Sequence, residues 1–511
     1  MNMLGKTTTV MLSGMEGMIT HVECDVADGL PGYYLVGYLS AEVREEKERA
    51  LAALKNSNVK LPAKKVTMNF TPAGVHKTGT AFDLPMAISI AAGYGLLREE
   101  NLSDIILIGE LSLNGKIEGV RGVLPMMLCA REKGYRYAII PKDNEKEADM
   151  VENMKILAVS SLQEVMQLFL KKDARNYFKE GQNMAFCEGK KDSYIPDFAQ
   201  IKGQTLVKRA CEVAASGRHN LLMVGPPGTG KTMIAKAMAG IMPPMSKNEQ
   251  LEVTSLYSIS GLLDNEKQWI TGRPFRMPHH KTTPKGLLGG GTPVRPGEIS
   301  LANRGILFLD ELPEFGVQTL EVLRQPLEDG MVTISRAGGN FRFPADFTLV
   351  AALNPCPCGF YPDLNRCHCT HTQIRRYLGK ISGPLLDRMD MCVEVSQIEY
   401  TDLQEAEAED SATIAKRVEK ALERQKSRFR HEEIQFNGQM REPLLSKYCK
   451  LDGPLDAYMK TQYEKLQLSA RTYHRVLKVA RTIADMKEHE KIEREDLLEA
   501  LVFREDLQVW R

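Results

Sequence analysis

Residues 225–232 read Gly-Pro-Pro-Gly-Thr-Gly-Lys-Thr. They meet every fixed position of the phosphate-binding pattern G-x-x-x-x-G-K-[ST]. An apolar strand signal, Leu221 to Val224, leads in, and a helical run, Met233 to Met238, leads out. Glycines let the backbone wrap an anion, and the N-terminus of the following helix aims unpaired N–H groups at it. Gly225, Pro226, Pro227, Gly228, Thr229 and Gly230 form the wrap. Lys231 is expected to reach the β- and γ-phosphates and Thr232 to bind Mg²⁺. A chain built this way is expected to bind a nucleoside triphosphate.

At 511 residues the chain is long enough for about three domains. Its apolar and charged fractions, 43% and 26%, are ordinary for globular protein. A net charge of +1 gives no overall pull on a polyanion, so any basic surface must be local. No stretch approaches the roughly 20 apolar residues of a membrane span, and residues 1–14 lack a leader pattern. Four of the ten cysteines fall within residues 356–369, which does not look like a secreted disulfide framework. A cytoplasmic protein with reduced thiols is expected.

Strand and helix signals alternate from residue 1 to 170. Strands are expected at Val10–Leu12, Gly17–Cys24, Lys65–Phe70 and Ile105–Leu111, and helices at Ala41–Leu54, Leu84–Leu97 and Leu124–Lys133. Residues 171–200 are polar and read as a linker. Residues 201–398 hold the nucleotide motifs. Residues 399–511 read as a charged helical connector, Asp402–Phe429, followed by an all-helical lid. The fold class is α/β.

A second motif completes the first. Ile306 to Leu309 is an apolar strand ending in Asp310-Glu311. Asp310 is expected to hold the Mg²⁺ shell, and Glu311 to orient and deprotonate the attacking water. Thr348 to Leu353 is a third apolar strand, ending in Asn354.

These strands, with Leu385-Leu386-Asp387-Arg388-Met389-Asp390, resemble the P-loop module of AAA+ ATPases. The resemblance implies that Asn354 is the sensor that positions water. It makes Arg388 an arginine finger given to a neighbouring subunit; such a finger is worth roughly 10³–10⁵ in rate. An ordinary ion pair is the alternative for Arg388. Arg471, at the start of the helix Thr472–Met486, matches the second sensor on the lid, with Arg475 as its competitor. Ile201-Lys202-Gly203-Gln204 resembles the adenine side. Three further strings, Arg273-Pro274-Phe275-Arg276-Met277-Pro278-His279-His280, Gly289-Gly290-Gly291 and Pro296-Gly297-Glu298-Ile299-Ser300-Leu301-Ala302, resemble the magnesium-chelatase branch. With the N-terminal region, the whole chain resembles the YifB/ComM group of magnesium chelatase-like ATPases. Ancestry of that kind does not fix the activity.

Gly109 to Ile117 and Lys77 to Asp83 resemble two stretches of the Lon protease domain, which has a ribosomal S5 domain 2-like fold. The nucleophile position falls at Thr80 and the lysine position at Leu124. Leucine cannot take a proton from a hydroxyl. The N-terminal domain is therefore read as non-proteolytic, a structural or partner-binding module.

Cys356, Cys358, Cys367 and Cys369 fit a tetrahedral Zn²⁺ site. Unliganded thiols and a redox clip are the alternatives, and His368 and His371 are spare ligands. Cys24, Cys129 and Cys211 sit in apolar runs and read as core residues.

Two basic hairpins are expected. One spans Arg273 to Arg295, with Lys281, Lys285 and Arg295. The other reads strand, turn (Ala337-Gly338-Gly339-Asn340), strand over Val332–Phe343, with Arg336 and Arg342 near its tip. The resemblance implies that they line the pore of a six-membered ring and track a phosphate backbone. Subunit-contact or solvated loops are the alternative. The function so implied is an ATP-driven DNA translocase or helicase acting in branch migration during recombination of incoming DNA. The other readings are a chelatase-type protein-remodelling or metal-insertion ATPase and a non-motor nucleotide switch. ATP, Mg²⁺ and Zn²⁺ are the expected cofactors, and DNA and further copies of the chain the expected partners.

Overall fold

The computed structural model describes residues 3–509 apart from residues 80, 98, 172, 182–194, 264–268, 337–338 and 399–408. The fold is mixed α/β, built on two large sheets. No helix among the described residues is long and apolar enough to cross a membrane.

The first sheet has eight strands. Their spatial order is Lys179–Glu180, Lys155–Val159, Tyr137–Pro141, Ile105–Leu107, Met3–Ser13, Glu16–Ala27, Lys65–Thr71, Gly32–Val36. The long pair Met3–Ser13 and Glu16–Ala27 turns at Gly14-Met15. Alternation places Thr20, Val22 and Cys24 inside. Against this sheet lies the helix Asp83–Gly93, buried along its whole length, as its near-continuous apolar sequence requires. Its first residue is a clamp. The Asp83 carboxylate accepts Arg49 Nε at 2.8 Å, Arg49 Nη2 at 3.1 Å and the Leu111 amide at 2.8 Å.

Two expected elements are shorter than their apolar runs. The helix ends at Gly93, because the Gly95 and Leu96 amides turn back onto the Ala92 and Ala91 carbonyls and close its last turn. The strand expected over Ile105–Leu111 breaks after Leu107. Glu110–Leu111 leaves the sheet and pairs with Ile117–Glu118. Phe178, just before the last strand, is buried with the first sheet. Phe198 and Ile201 are buried in the core of the second.

The second sheet has five parallel strands in the order Phe275–Arg276, Ile306–Leu309, Thr348–Leu353, Leu221–Val224, Met391–Glu394. The three central strands are almost wholly apolar and buried because both faces are covered, while the edge strand Phe275–Arg276 is half-buried. One face packs on the helices Thr205–Gly217 and Lys231–Ile241 and on the C-terminal helices. The other packs on Leu312 to Leu323 and Ile381 to Met389. The register sets Val224 beside Leu353, and Leu309 beside Ala351. Gly225, Asp310 and Asn354 therefore come out along one edge.

The first sheet's domain rests on the helix Lys247–Ser260. Leu251 and Trp269 join its apolar cluster. The Ser258 hydroxyl donates to Glu147, and Lys247 pairs with Glu152.

The C-terminal helices are Ser411–Arg428, Leu444–Tyr448, Gly453–Lys465, Ala470–Met486 and Arg494–Val509. Buried Asp485 ties them. It pairs with Arg428, accepts Arg481 Nη2 at 3.0 Å, and takes Asn437 Nδ2 at 2.8 Å. Arg481 is itself buried. Asp485→Ala leaves two arginines without their carboxylate, and a broken buried pair typically loses about 3–5 kcal/mol. Denaturant unfolding should show a loss of that size. A change below about 0.5 kcal/mol, typical of a surface site, would mean that Asp485 does not hold the lid.

Candidate functional site

The C-terminal edge of the parallel sheet is where such folds take ligands. Lys231 opens the helix Lys231–Ile241 and is only 8% exposed. Its ammonium donates to the Gly225 carbonyl at 2.7 Å, the Pro226 carbonyl at 2.8 Å and Asn354 Oδ1 at 3.2 Å. Burial pushes its pKa down, while the charges of Asp310 and Glu311 oppose that shift. Thr229 donates from its hydroxyl to the Pro226 carbonyl and braces the loop.

Thr232 Oγ1 donates to Asp310 Oδ2 at 2.7 Å. A hydroxyl and a carboxylate oxygen this close are hard donors, the set that Mg²⁺ takes beside phosphate oxygens. The other Asp310 oxygen accepts the Glu311 amide at 3.0 Å. Glu311 itself has φ +51°, in the left-handed region. That conformation costs a non-glycine residue roughly 1–2 kcal/mol. It turns the half-exposed carboxylate away from the strand and toward the ligand edge.

One neighbour of Glu311 was not legible in the sequence. His280 Nδ1 lies 3.4 Å from Glu311 Oε2. The two are 31 positions apart, and only the packing of the segment after Phe275–Arg276 brings them together. The histidine pair was visible as a string, but its partner was not.

The four thiols form a compact group. Sγ separations are 3.3 Å for Cys356–Cys358, 3.7 Å for Cys356–Cys367 and 3.6 Å for Cys358–Cys367. All four sulfurs lie within 4.8 Å of one another. A tetrahedral zinc with Zn–S near 2.3 Å sets its sulfurs about 3.8 Å apart, so the donor set fits. The cluster touches the phosphate loop. A Cβ built on Gly359 would lie 2.5 Å from Pro227 Cδ, so only glycine permits the approach. Tyr377, on the helix His371–Leu378, is buried and hydrogen-bonded to the Asn354 amide, and Tyr361 packs beside the cysteines.

The remaining arginines lie elsewhere. The Asn220 amide, just before Leu221–Val224, donates to Asp390 Oδ2, and Asn220 Nδ2 donates to the Arg388 carbonyl. Arg475 Nη1 donates to the same carbonyl and pairs with Asp390. Arg388 and Arg475 therefore sit at the opposite end of a four-residue strand, about 13 Å from the phosphate loop. Arg471 is exposed, one helical turn before Arg475. The structure does not bring Arg388 to the Lys231 of its own chain.

Met331–Arg336 and Gly339–Pro344 form an antiparallel hairpin, with Arg336 opposite Gly339. Residues 337 and 338 of the expected turn lie outside the described residues. Between Arg273 and Arg295 there is a short helix, Pro284–Leu288, and a two-residue ladder joining Gly289–Gly290 to Arg295–Pro296. The two basic loops meet: a Cβ on Gly290 would lie 3.1 Å from Arg336 Nη2 and 3.2 Å from Lys285 Cε. Lys281, Lys285, Arg295, Arg336 and Arg342 are all exposed. The backbone of Arg342 touches the first domain, its carbonyl accepting the Met15 amide at 3.3 Å.

In that domain, Leu124 is buried and its amide donates to Glu147 Oε1 at 2.7 Å. Thr80 lies outside the described residues.

Comparisons with known proteins agree with this architecture. Family models of the magnesium chelatase subunit ChlI match residues 22–144 and 197–403, and its C-terminal model matches residues 408–504. The chain is 40% identical to competence protein ComM of Haemophilus influenzae over 505 residues, 96% of this chain and 95% of that protein. It is 39% identical to the uncharacterized protein YifB of Escherichia coli over 485 residues, 94% of this chain and 93% of that protein. A partial likeness, 25% over 183 residues, links 34% of the chain to 22% of the Lon protease of Trichlorobacter lovleyi. The chain belongs to the YifB/ComM family of magnesium chelatase-like AAA+ proteins.

Lys231→Ala removes the one cation inside the phosphate loop, and it is expected to abolish tight ATP binding in a fluorescent-nucleotide titration. Glu311→Gln keeps the loop and the Thr232–Asp310 pair; it should bind ATP normally and fail to turn it over. Equal turnover by Glu311→Gln and wild type would remove Glu311 from the reaction.

Proposed function

We propose that this chelatase-like protein is an ATP-hydrolysing DNA motor. It works in the cytoplasm as a six-membered ring, in branch migration of incoming DNA. The observation that carries the reading is the junction of the two basic loops over Gly290. Five exposed cations lie on these loops, and among the described residues none has a carboxylate in ion-pair range. Unpaired Lys and Arg on glycine-rich backbone suit contact with a phosphate chain of any sequence. The competence protein among the relatives supports the same direction, since competence is the taking up of DNA.

In this reading Lys231 and the loop amides bind the triphosphate, and Thr232 and Asp310 hold Mg²⁺. Glu311 takes the proton of the attacking water, and Asn354 orients that water. Arg388, at the far edge of the sheet, acts on the triphosphate of a neighbouring copy, and Arg471 is the second sensor on the lid. Zinc in the cysteine cluster is a structural brace between Asn354 and the phosphate loop. The chelatase family models favour a second reading, a protein-remodelling or metal-insertion ATPase, which would show no response to DNA.

ATP turnover should rise with single-stranded or branched DNA. Affinity should fall steeply with salt, and each lost phosphate contact should lower the log–log slope by roughly 0.7–0.9. Arg336→Ala, Arg342→Ala should weaken all sequences alike while DNA-independent turnover survives. Unchanged DNA binding by this double variant would move the weight to the remodelling reading.

Metal analysis of untagged protein should return about one zinc per chain. Cys358→Ser should lose it and loosen residues 354–388 in hydrogen exchange, since structural zinc contributes roughly 10–16 kcal/mol to local folding. A metal content near zero with normal turnover would show that the thiols are unliganded.

A further inference from the structure

The Arg388 guanidinium is already engaged within its own chain. Nη1 donates to the Pro384 carbonyl at 2.9 Å, and Nη2 pairs with the Glu328 carboxylate. The Arg388 side chain is 11% exposed and that of Glu328 is 59% exposed. The arginine is therefore sheltered while its partner stands in water. Arg324, on the same helix, is held by Glu321 at 2.7 Å, and Arg441 Nη2 donates to the Glu328 carbonyl rather than to its carboxylate.

The pair lines a cavity of about 460 Å³ walled mostly by residues between Glu321 and Asp329, with the two basic loops entering it at Leu288 and at Met331 to Thr333. Leu288 ends the short helix that carries Lys285. Met331, Val332 and Thr333 begin the hairpin that carries Arg336 and Arg342. Glu328 lies in the helix Arg324–Asp329, which runs directly into that hairpin. Gly330 joins them. Its amide donates to the Pro326 carbonyl at 2.9 Å, and its carbonyl accepts the Ala345 amide at 2.8 Å. One residue thus closes the helix and pins both ends of the hairpin. A tilt of the hairpin must move the end of the helix that presents Glu328.

We infer that Glu328 is a positioning residue that parks Arg388 and releases it to a neighbouring copy's triphosphate when the Met331–Pro344 hairpin shifts. The inference rests on Arg388 acting between copies, as proposed above. A guanidinium binds carboxylate and phosphate oxygens through the same N–H fork, so it cannot serve both fully. A half-exposed pair is weak, and a weak hold is one that ligand on the hairpin can undo. Strand contact and the finger are then linked through Gly330 and Glu328.

The test is a double-mutant cycle on the full chain. ATP turnover is measured with and without DNA for wild type, Glu328→Gln, Arg388→Ala and the double variant. Glu328→Gln keeps the size of the side chain and removes its charge. It is expected to raise DNA-independent turnover about two- to fivefold, the factor such a pair carries. DNA stimulation should shrink by the same factor. In the Arg388→Ala background the Glu328→Gln change should leave the residual rate unaltered, which a purely structural role would not predict. An equal factor in both backgrounds, or no rise in Glu328→Gln, overturns the assignment of Glu328 while leaving the finger in place. Wild-type turnover by Arg388→Ala overturns the finger itself, and the parked state with it.

Discussion

The ATPase module is organised around one buried ammonium group. Lys231 is nearly enclosed, and the described structure bonds it to two carbonyl oxygens and one amide oxygen. All three acceptors are neutral, and the carboxylates of Asp310 and Glu311 act on the ammonium only through their charge, so its burial is incompletely compensated. That deficit is what a triphosphate fills. The geometry around it follows. The helix that Lys231 opens presents its N-terminus to the same point, and Thr232 is fixed next to Asp310. Asn354 reaches across from the adjacent strand to share the lysine. The sheet's register provides that reach, because Val224 and Leu353 are neighbours.

The cysteine group extends this arrangement rather than standing beside it. Asn354 is two residues before Cys356, so a closed metal site would fix the backbone immediately after the side chain that touches Lys231. The same segment returns to press Gly359 on Pro227, and Tyr377 bonds the Asn354 amide. Loop, amide side chain and thiols form a closed circuit of contacts. A loop rich in Gly, Pro, Asp and Asn would otherwise be a poor brace, since it has little apolar surface to bury. Cys356, Cys367 and Ile374 form what core it has.

How much could be read in advance depended on how local each feature is. The phosphate loop, the Asp310-Glu311 pair and the four thiols were legible because each completes its chemistry within a few residues. The strands at Lys65–Thr71 and Leu221–Val224 were legible for the same reason: period and β-branching act locally. The break after Leu107 was not, because the apolar run continues through Ile108, and only the pairing of Glu110–Leu111 with Ile117–Glu118 takes the chain out of the sheet. His280 beside Glu311 and Glu328 beside Arg388 were hidden more deeply. Their partners are 31 and 60 positions away, and nothing in the intervening sequence encodes the meeting. The docking of the first domain on Lys247–Ser260 was hidden too, since nothing in the charged stretch around Glu147 shows that its carboxylate, already bonded by the Leu124 amide and Asn144, also takes the Ser258 hydroxyl 111 positions away.

The placement of the arginines constrains any mechanism built on this chain. Lys231, Asp310 and Asn354 share one edge of the parallel sheet, while Asn220, Arg388, Asp390 and Arg475 share the other. A strand of four residues is too rigid to fold the second group onto the first, so one copy alone cannot bring Arg388 to its own triphosphate. Head-to-tail stacking of copies brings opposite edges together, and a heterologous contact of that kind closes only as a ring or runs on as a filament. The basic loops root at the Arg388 edge, through Leu288 and Met331. The first domain reaches the same loops, through Met15 on Arg342. In a ring, the surface that meets a strand would thus sit closer to the arginine given away than to the lysine kept. Strand contact in one copy would then act first on hydrolysis in the next, which is the order that stepwise movement around a ring requires.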